Sequence, residues 1–520
     1  MIAVEDLLAP VPWPSLPHLL AQRALEHPDR ELLRCPDRSL RFGAVAELTA
    51  RIASRLHELG VREGDRVGIM LPNVSGWPVG WLAVLHAGAV AVPINHAYAS
   101  ADLRHVIEDS GLRLVITEPA RLELVTAAAT ELNGHVDVVL HDELERTAAD
   151  LDAAPLPGGG PDRLANLQYT SGTTGFPKAC MLTHRYWQRV AQAAAAYGSL
   201  TCDDIALTAQ PFSYIDPLWN VAACLLVGIP LVVLPRFSAS GMWASVREHG
   251  ATFFYVLGTM PLLLFKQPPH PADRDNQVRL VMCSGIPAHL HAQLEQRWGA
   301  PWRETYGLTE SGANLVVPIV DDTCVGTGTL GGPVAGQQVR VVDTDLNEVP
   351  AGAVGEIVIR GDNLMLGYWN RPEATAEAFR GDWFHTGDLG YVGPDGGFRL
   401  AGRLKDMVRR GGENIAAAEV ESVLSDHPAV LSAAVVAQPD ATFGEEVKAY
   451  VRVADDADLR DEQLILSILD LAAGRLARFK VPRYVELVTT FPMTPSERVA
   501  KKELVAVPGA TYDRTTEGWT

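Results

Sequence analysis

Thr170-Ser171-Gly172-Thr173-Thr174-Gly175-Phe176-Pro177-Lys178, directly after Tyr169, is a loop of hydroxyls and glycines that ends in a lysine. Glycines let backbone N–H groups approach phosphate oxygens, hydroxyls donate further hydrogen bonds, and the lysine adds a point charge. Such a loop suits an oligophosphate and points to a nucleoside triphosphate. Leu164 to Tyr169 reads as a strand, and Trp187 to Tyr197 as a helix with Thr183 as its N-cap, so the spacing predicts a loop joining strand to helix. The loop differs from the P-loop of kinases and GTPases, because Lys178 is followed by Ala179 rather than Ser or Thr.

The chain around this loop is large. At 520 residues it exceeds what one hydrophobic core serves. Apolar residues make up 47% and charged residues 21%, the balance of an ordinary globular protein. A net charge of -19 argues against nonspecific binding to nucleic acid or an anionic membrane, so any phosphate must meet local cations. The six cysteines, Cys35, Cys180, Cys202, Cys224, Cys283 and Cys324, are scattered without metal-ligand spacing, as expected of buried thiols in a reducing, cytoplasmic compartment. The N-terminal residues form no secretion signal. The apolar run Val221 to Leu234 is broken by Gly228 and Pro230 and is too short to span a bilayer; it reads as a helix end followed by a buried strand.

Over the first four hundred residues, helical stretches (Leu48 to Leu59, Ser75 to His86, Met242 to His249) alternate with short apolar strands (Val67 to Met70, Ala89 to Pro93, Leu114 to Thr117). That alternation predicts α/β layers with mainly parallel sheets. Gly326 to Asp343 and Gly355 to Gly361 are β-rich, and Pro394-Asp395-Gly396-Gly397 reads as a hairpin turn. After Lys405 the pattern of helix, two strands, helix and strand predicts a compact α+β unit. The expected division is a large domain over 1–403, with a small β subdomain over roughly 326–403, and a small mobile domain over 404–520.

The opening loop resembles the phosphate-binding signature of the adenylate-forming enzymes, the superfamily of acyl-CoA synthetases, luciferases and peptide-synthetase adenylation domains. Further signatures follow in that superfamily's order and cover nearly all of the chain. Tyr306-Gly307-Leu308-Thr309-Glu310 is similar to its adenine and magnesium motif, and Gly367-Tyr368-Trp369-Asn370-Arg371-Pro372-Glu373 to a structural one. Trp383-Phe384-His385-Thr386-Gly387-Asp388 resembles the ribose motif, and Gly402-Arg403-Leu404-Lys405-Asp406 the interdomain hinge.

The resemblance implies an ATP-dependent ligase that converts a carboxylic acid to an acyl-AMP, releases pyrophosphate and passes the acyl group to CoA. Positioning and charge neutralisation do most of that work. On this reading Thr170 to Gly175 and Lys178 hold the β- and γ-phosphates, and Glu310, beside Thr309, holds a magnesium ion. Tyr306, next to Gly307, stacks on adenine, with Ser284-Gly285-Ile286 near the same ring. Asp388 accepts both ribose hydroxyls, and Arg403 adds a charged donor there. Lys405 and Asp406 would be the pivot between two poses, and Gly411 and Gly412 would line the passage for a pantetheine arm.

The chain departs from the superfamily near its end. Where a Gly-Lys pair is usual, it reads Glu497-Arg498, followed by Lys501 and Lys502. Either Arg498 takes the place of the lysine that bridges carboxylate and α-phosphate, or Lys501 or Lys502 reaches in instead. The acyl pocket is expected from Tyr214, Asp216, Phe254, Tyr255, Gly258 and Met260, with Tyr214 as gate and bulky apolar walls suited to an aromatic or medium-length acyl group. Asp216 has three readings: pairing with a cationic acid, accepting a proton from an attacking amine, or capping the following helix. The alternatives to a CoA ligase are an amide ligase, with an amine in place of the thiol, and a noncatalytic nucleotide binder.

Overall fold

The computed structural model describes residues 2–131, 136–170, 177–410, 413–493, 499–506, 509–516, 518 and 519, with the backbone alone at 405, 414 and 506. The chain divides into two compact units: Met1–Val339 with Ile359–Phe384, and Arg340–Val358 with His385–Thr520.

The first unit is built on two sheets, one of nine strands and one of six. In the six-stranded sheet, Arg66–Met70 runs parallel to Val90–Pro93 and to Leu114–Thr117, and Val90–Pro93 runs parallel to Leu164–Thr170. Val90–Pro93 and Leu114–Thr117 are nearly continuous apolar runs because helices cover parallel sheets on both faces. Val92, Met70, Val115, Leu167 and Tyr169 accordingly share one buried cluster. The helices Gly76–His86 and Met242–His249 fall where their periodicity places them, and Phe42–Glu58 begins six residues ahead of the expected Leu48. The run from 221 to 234 resolves into the helix Ile215–Val227 and the strand Leu231–Val233.

One expectation is corrected. The loop after Tyr169 joins a strand to a strand: Leu164–Thr170 pairs antiparallel with Lys178–Thr183, with Thr170 opposite Lys178. The helix His184–Tyr197 begins only after that second strand, and Thr183 caps it as expected, its hydroxyl accepting from the N–H of Tyr186. The second strand escapes local reading because a remote segment completes it. Met181 N–H donates to the Gly367 carbonyl and Trp369 N–H to the Ala179 carbonyl, each at 2.9 Å. Backbone groups that look solvent-facing in sequence are thus paired at long range.

The nine-stranded sheet includes Phe253–Leu257, Leu280–Ser284 and Trp302–Leu308 as parallel neighbours. Trp302–Leu308 turns back on Gly312–Val316 as an antiparallel pair. Trp383–Val392 and Phe398–Arg403 form the expected hairpin, with Asp388 opposite Arg403, both of these in the second unit. The C-terminal part supplies the helices Ala417–Ser425 and Glu462–Arg475 and the strands Ser432–Asp440, Gly444–Arg452 and Tyr484–Val488. No helix among the described residues is long and apolar enough to cross a membrane.

Candidate active site

In the first unit, the Lys178–Thr183 strand, the turn after Leu308 and the segment around Tyr368 meet. Lys178 sits at the mouth of the hairpin, with its ammonium 4.3 Å from the centroid of the Tyr368 ring. The Tyr368 hydroxyl donates to Glu310 Oε1 at 3.0 Å, and Met365 N–H donates to the Glu310 carbonyl at 2.8 Å. Burial, and then the Glu310 carboxylate, hold the Tyr368 phenol far above its ordinary range, so it stays a donor. Lys178 and Glu310, far apart in sequence, are therefore joined through one aromatic ring. Tyr368 sits in the motif similar to a structural one, and its local signal, a Gly-Tyr pair, says nothing of what the ring faces.

Thr309 and Glu310 lie in the turn between Trp302–Leu308 and Gly312–Val316, both half-buried. The turn is closed by glycine at both sides. A Cβ on Gly307 would fall 1.9 Å from the Gly312 carbonyl oxygen, and Gly312 adopts φ +63° against Val190. Tyr306 is buried at 8% exposure, just before the irregularity between Tyr306 and Gly307 in the strand pairing.

Ser284, Gly285 and Ile286 follow the end of the Leu280–Ser284 strand. Ser284 Oγ accepts from the Tyr255 hydroxyl at 2.9 Å and donates to the Thr305 carbonyl at 2.6 Å. Beneath the loop lies a residue absent from the sequence reading, Glu304. Its Oε1 accepts the Gly285 N–H and its Oε2 the Ile286 N–H, both at 2.7 Å. Burial pushes its carboxyl up to about 8, against the pull of those two N–H donors toward the charged form. The folded chain keeps this proton where a free carboxylate, at 4.5, has lost it. Its contribution to stability therefore falls as pH rises from about 4.5 to about 8 and is level above that.

The expected acyl-pocket residues divide between two faces. Tyr255 meets Trp219 edge-on at 5.4 Å, and the Tyr214 hydroxyl accepts from Asn95 Nδ2 at 3.1 Å. Asp216 lies in the first turn of Ile215–Val227 and is buried at 9% exposure; its carbonyl accepts from Asn220. Gly258, with φ +58°, donates its N–H to the Ser284 carbonyl at 2.9 Å. Phe254 lies elsewhere, fully buried in the core against Trp243, because successive strand residues point to opposite faces. Met260 belongs to that core as well.

In the second unit, Asp388 is buried and Arg403 Nε stands 2.8 Å from its Oδ1, an alignment imposed by their cross-strand register. Asp388 N–H donates to Thr386 Oγ1 at 3.0 Å, and the positive φ of Gly387, +69°, makes the preceding bend. Lys501 Nζ lies 2.7 Å from Glu421 Oε1 and 3.7 Å from Asp406 Oδ2, and Lys502 is exposed. Ser171, Gly172, Thr173, Thr174, Gly175, Gly411, Gly412 and Arg498 lie outside the described residues, as does the side chain of Lys405.

Known proteins share the sequence and the fold of this chain. Residues 20–369 match the family described as AMP-binding enzyme, and residues 419–498 the AMP-binding enzyme C-terminal domain. A sulfoacetate–CoA ligase of Cupriavidus necator is 35% identical over 505 residues, covering 95% of this chain and 98% of that protein. The o-succinylbenzoate–CoA synthetase of Bacillus subtilis, solved with its acyl-adenylate intermediate, superposes with a TM-score of 0.83 at 28% identity, covering 94% of this chain and 97% of that one. The same synthetase solved with ATP and a magnesium ion gives 0.82 at 28% identity, covering 94% and 99%. The chain belongs to the AMP-binding enzyme family, as an AMP-forming acid–CoA ligase of the adenylate-forming superfamily.

Proposed function

We propose that this ligase forms its acyl-AMP at the junction of Lys178, Tyr368 and Glu310 and binds the nucleotide's ribose through Asp388 and Arg403. A carboxylate oxygen of the acid attacks the α-phosphorus of ATP, the bond to the bridging oxygen breaks, and pyrophosphate leaves with the electron pair. The thiol sulfur of CoA then attacks the acyl carbon, AMP departs, and the thiol proton is released. The observation that carries this reading is the meeting of Lys178 and Glu310 at the Tyr368 ring, which brings a cation and a carboxylate to one side chain at the end of the phosphate-type loop.

The donor set fits magnesium. Glu310 offers a hard carboxylate oxygen, with Tyr368 occupying only Oε1, and magnesium takes one or two carboxylates together with substrate phosphates. When bound, the ion neutralises charge on the phosphate oxygens. Lys178 adds a second positive charge, and the Tyr368 hydroxyl fixes the orientation of the Glu310 carboxylate.

For the acid, we propose an aromatic or medium-length acyl group lying against Tyr255 and Trp219 with Tyr214 at the entrance, the edge-on Tyr255–Trp219 pair being the supporting observation. We propose further that residues 404–520 turn about Lys405 and Asp406 between the two half-reactions, with Gly411 and Gly412 along the thiol's path, and that Arg498 supplies the bridging charge. The pairing of Lys501 with Glu421 and Asp406 supports Arg498 over Lys501. The cysteines, free in this structure, fit a cytoplasmic setting.

A panel of carboxylic acids assayed for pyrophosphate release tests the first half-reaction; a noncatalytic binder gives none above background. CoA and simple amines, supplied separately to a working acid, test the acceptor. A thioester product is expected by mass, whereas amide formation without thioester at saturating CoA overturns that half. Asp388→Ala is expected to raise the KM for ATP about a hundredfold, since it removes hydrogen bonds to a charged group worth about 1.5–3 kcal/mol each. Wild type should also discriminate against 2′- and 3′-deoxy-ATP, and the variant should not; equal discrimination by both would remove Asp388 from the ribose.

A further inference from the structure

Glu304 is a buried carboxyl with no part in the chemistry above, and it holds two consecutive backbone N–H groups at the start of one loop. Those N–H groups belong to Gly285 and Ile286, the segment read as flanking adenine. Gly285 adopts φ +100°, which glycine reaches freely but does not favour over other angles, so its partners fix the turn. Its remaining ties run through Ser284, whose hydroxyl bonds Tyr255 and Thr305, and through the Ser284 carbonyl, which accepts from Gly258. Among the described residues, Glu304 alone holds the loop by the N–H groups of Gly285 and Ile286.

We infer that Glu304 is a positioning residue for nucleotide binding: its carboxylate fixes the 284–286 loop in the shape that receives adenine, and loss of its charge loosens that shape. The inference rests on the adenine role proposed for this loop. With both oxygens charged, each N–H meets a full acceptor. With a proton on one oxygen, a hydroxyl confronts an N–H donor and one of the two bonds weakens. The titratable groups that face Glu304 are the Cys283 thiol on the neighbouring strand and the Tyr255 phenol on the next, both pushed up first by burial and so neutral through the relevant range. The carboxyl itself titrates at about 8, which places the change within reach of ordinary buffers.

The test is direct binding of magnesium-ATP by calorimetry to the full chain, from well below to well above pH 8, alongside steady-state kinetics of pyrophosphate release. Wild type should bind more tightly as pH rises through about 8. Above pH 8, Glu304→Gln, which keeps one acceptor and sets an amide donor against the other N–H, should weaken binding about tenfold, the loss of one hydrogen bond to a charged group. It should also lose the inflection, raise KM for ATP and leave kcat nearly unchanged. Its profile provides the baseline for the titration of ATP itself. A wild-type profile no steeper than that baseline, or a variant that loses kcat with KM intact, overturns the inference. Should Glu304→Gln not fold, the wild-type profile compared with ATP titrated alone decides. Nucleotide binding needs no acid, so a silent acid panel beside a clear inflection would refute the acyl-transfer scheme and leave Glu304 standing.

Discussion

Glu310→Gln is expected to lower the rate of pyrophosphate release at saturating ATP by about a hundred- to a thousandfold, the loss typical of removing one preorganised charge-stabilising group. Geometry makes this substitution sharper than its small change in size suggests. Glu310 Oε1 already accepts the Tyr368 hydroxyl. A glutamine in the same place satisfies that hydroxyl with its carbonyl oxygen and is left presenting an uncharged NH2 where a hard anionic ligand is required. Magnesium titrations should shift to higher concentration in the variant, with melting temperature little changed because the side chain is only half-buried. An unchanged rate with unchanged magnesium dependence would displace Glu310 from the site.

The second large effect belongs to a residue with no side chain. Gly307→Val is expected to abolish activity and to lower the melting temperature by about 1–3 degrees. A Cβ at 307 would sit 1.9 Å from the Gly312 carbonyl oxygen, which is backbone and cannot swing aside. Forcing the two strands apart costs on the order of 1–3 kcal/mol, as overpacking does, with about one degree of melting temperature for each kcal/mol in a chain this large. The turn between those strands carries Thr309 and Glu310, so the displacement falls on the site itself. Circular dichroism and the pyrophosphate assay together check this. A variant that melts and turns over as wild type does would mean that the close approach at Gly307 is unimportant.

Much of this was legible from residue order. Alternating helices and apolar strands gave the α/β layering, because burial on both faces of a parallel sheet leaves a local signature. The N-cap at Thr183, the hairpin at 394–397 and the strand Leu114–Thr117 likewise follow from short-range chemistry. The partnership of Asp388 and Arg403 was readable only as a resemblance, since neither residue announces the other across fifteen positions of sequence; their antiparallel register brings them to 2.8 Å.

What escaped is non-local in each case. The Lys178–Thr183 strand has little local signal because its outer edge is completed by Gly367 to Trp369. Phe254 was counted with Tyr255, yet the pleat turns it into the core against Trp243. Glu304 looked like any strand glutamate before its oxygens were found on the Gly285 and Ile286 N–H groups.

By itself, then, the sequence determined the chemistry on offer: a hydroxyl- and glycine-rich loop with its lysine, a threonine-glutamate turn, an aspartate suited to a sugar, and an order of motifs that assigns the family. Residue type sets charge, donor count and permitted backbone angles, and these act over a few positions. Tertiary structure alone decided which of those groups meet, placing Tyr368 between Lys178 and Glu310 and Glu304 beneath the 284–286 loop. The physical reason is that strand pairing and burial join residues far apart along the chain, and in a low-dielectric interior such neighbours, more than a residue's own identity, set its orientation and its charge.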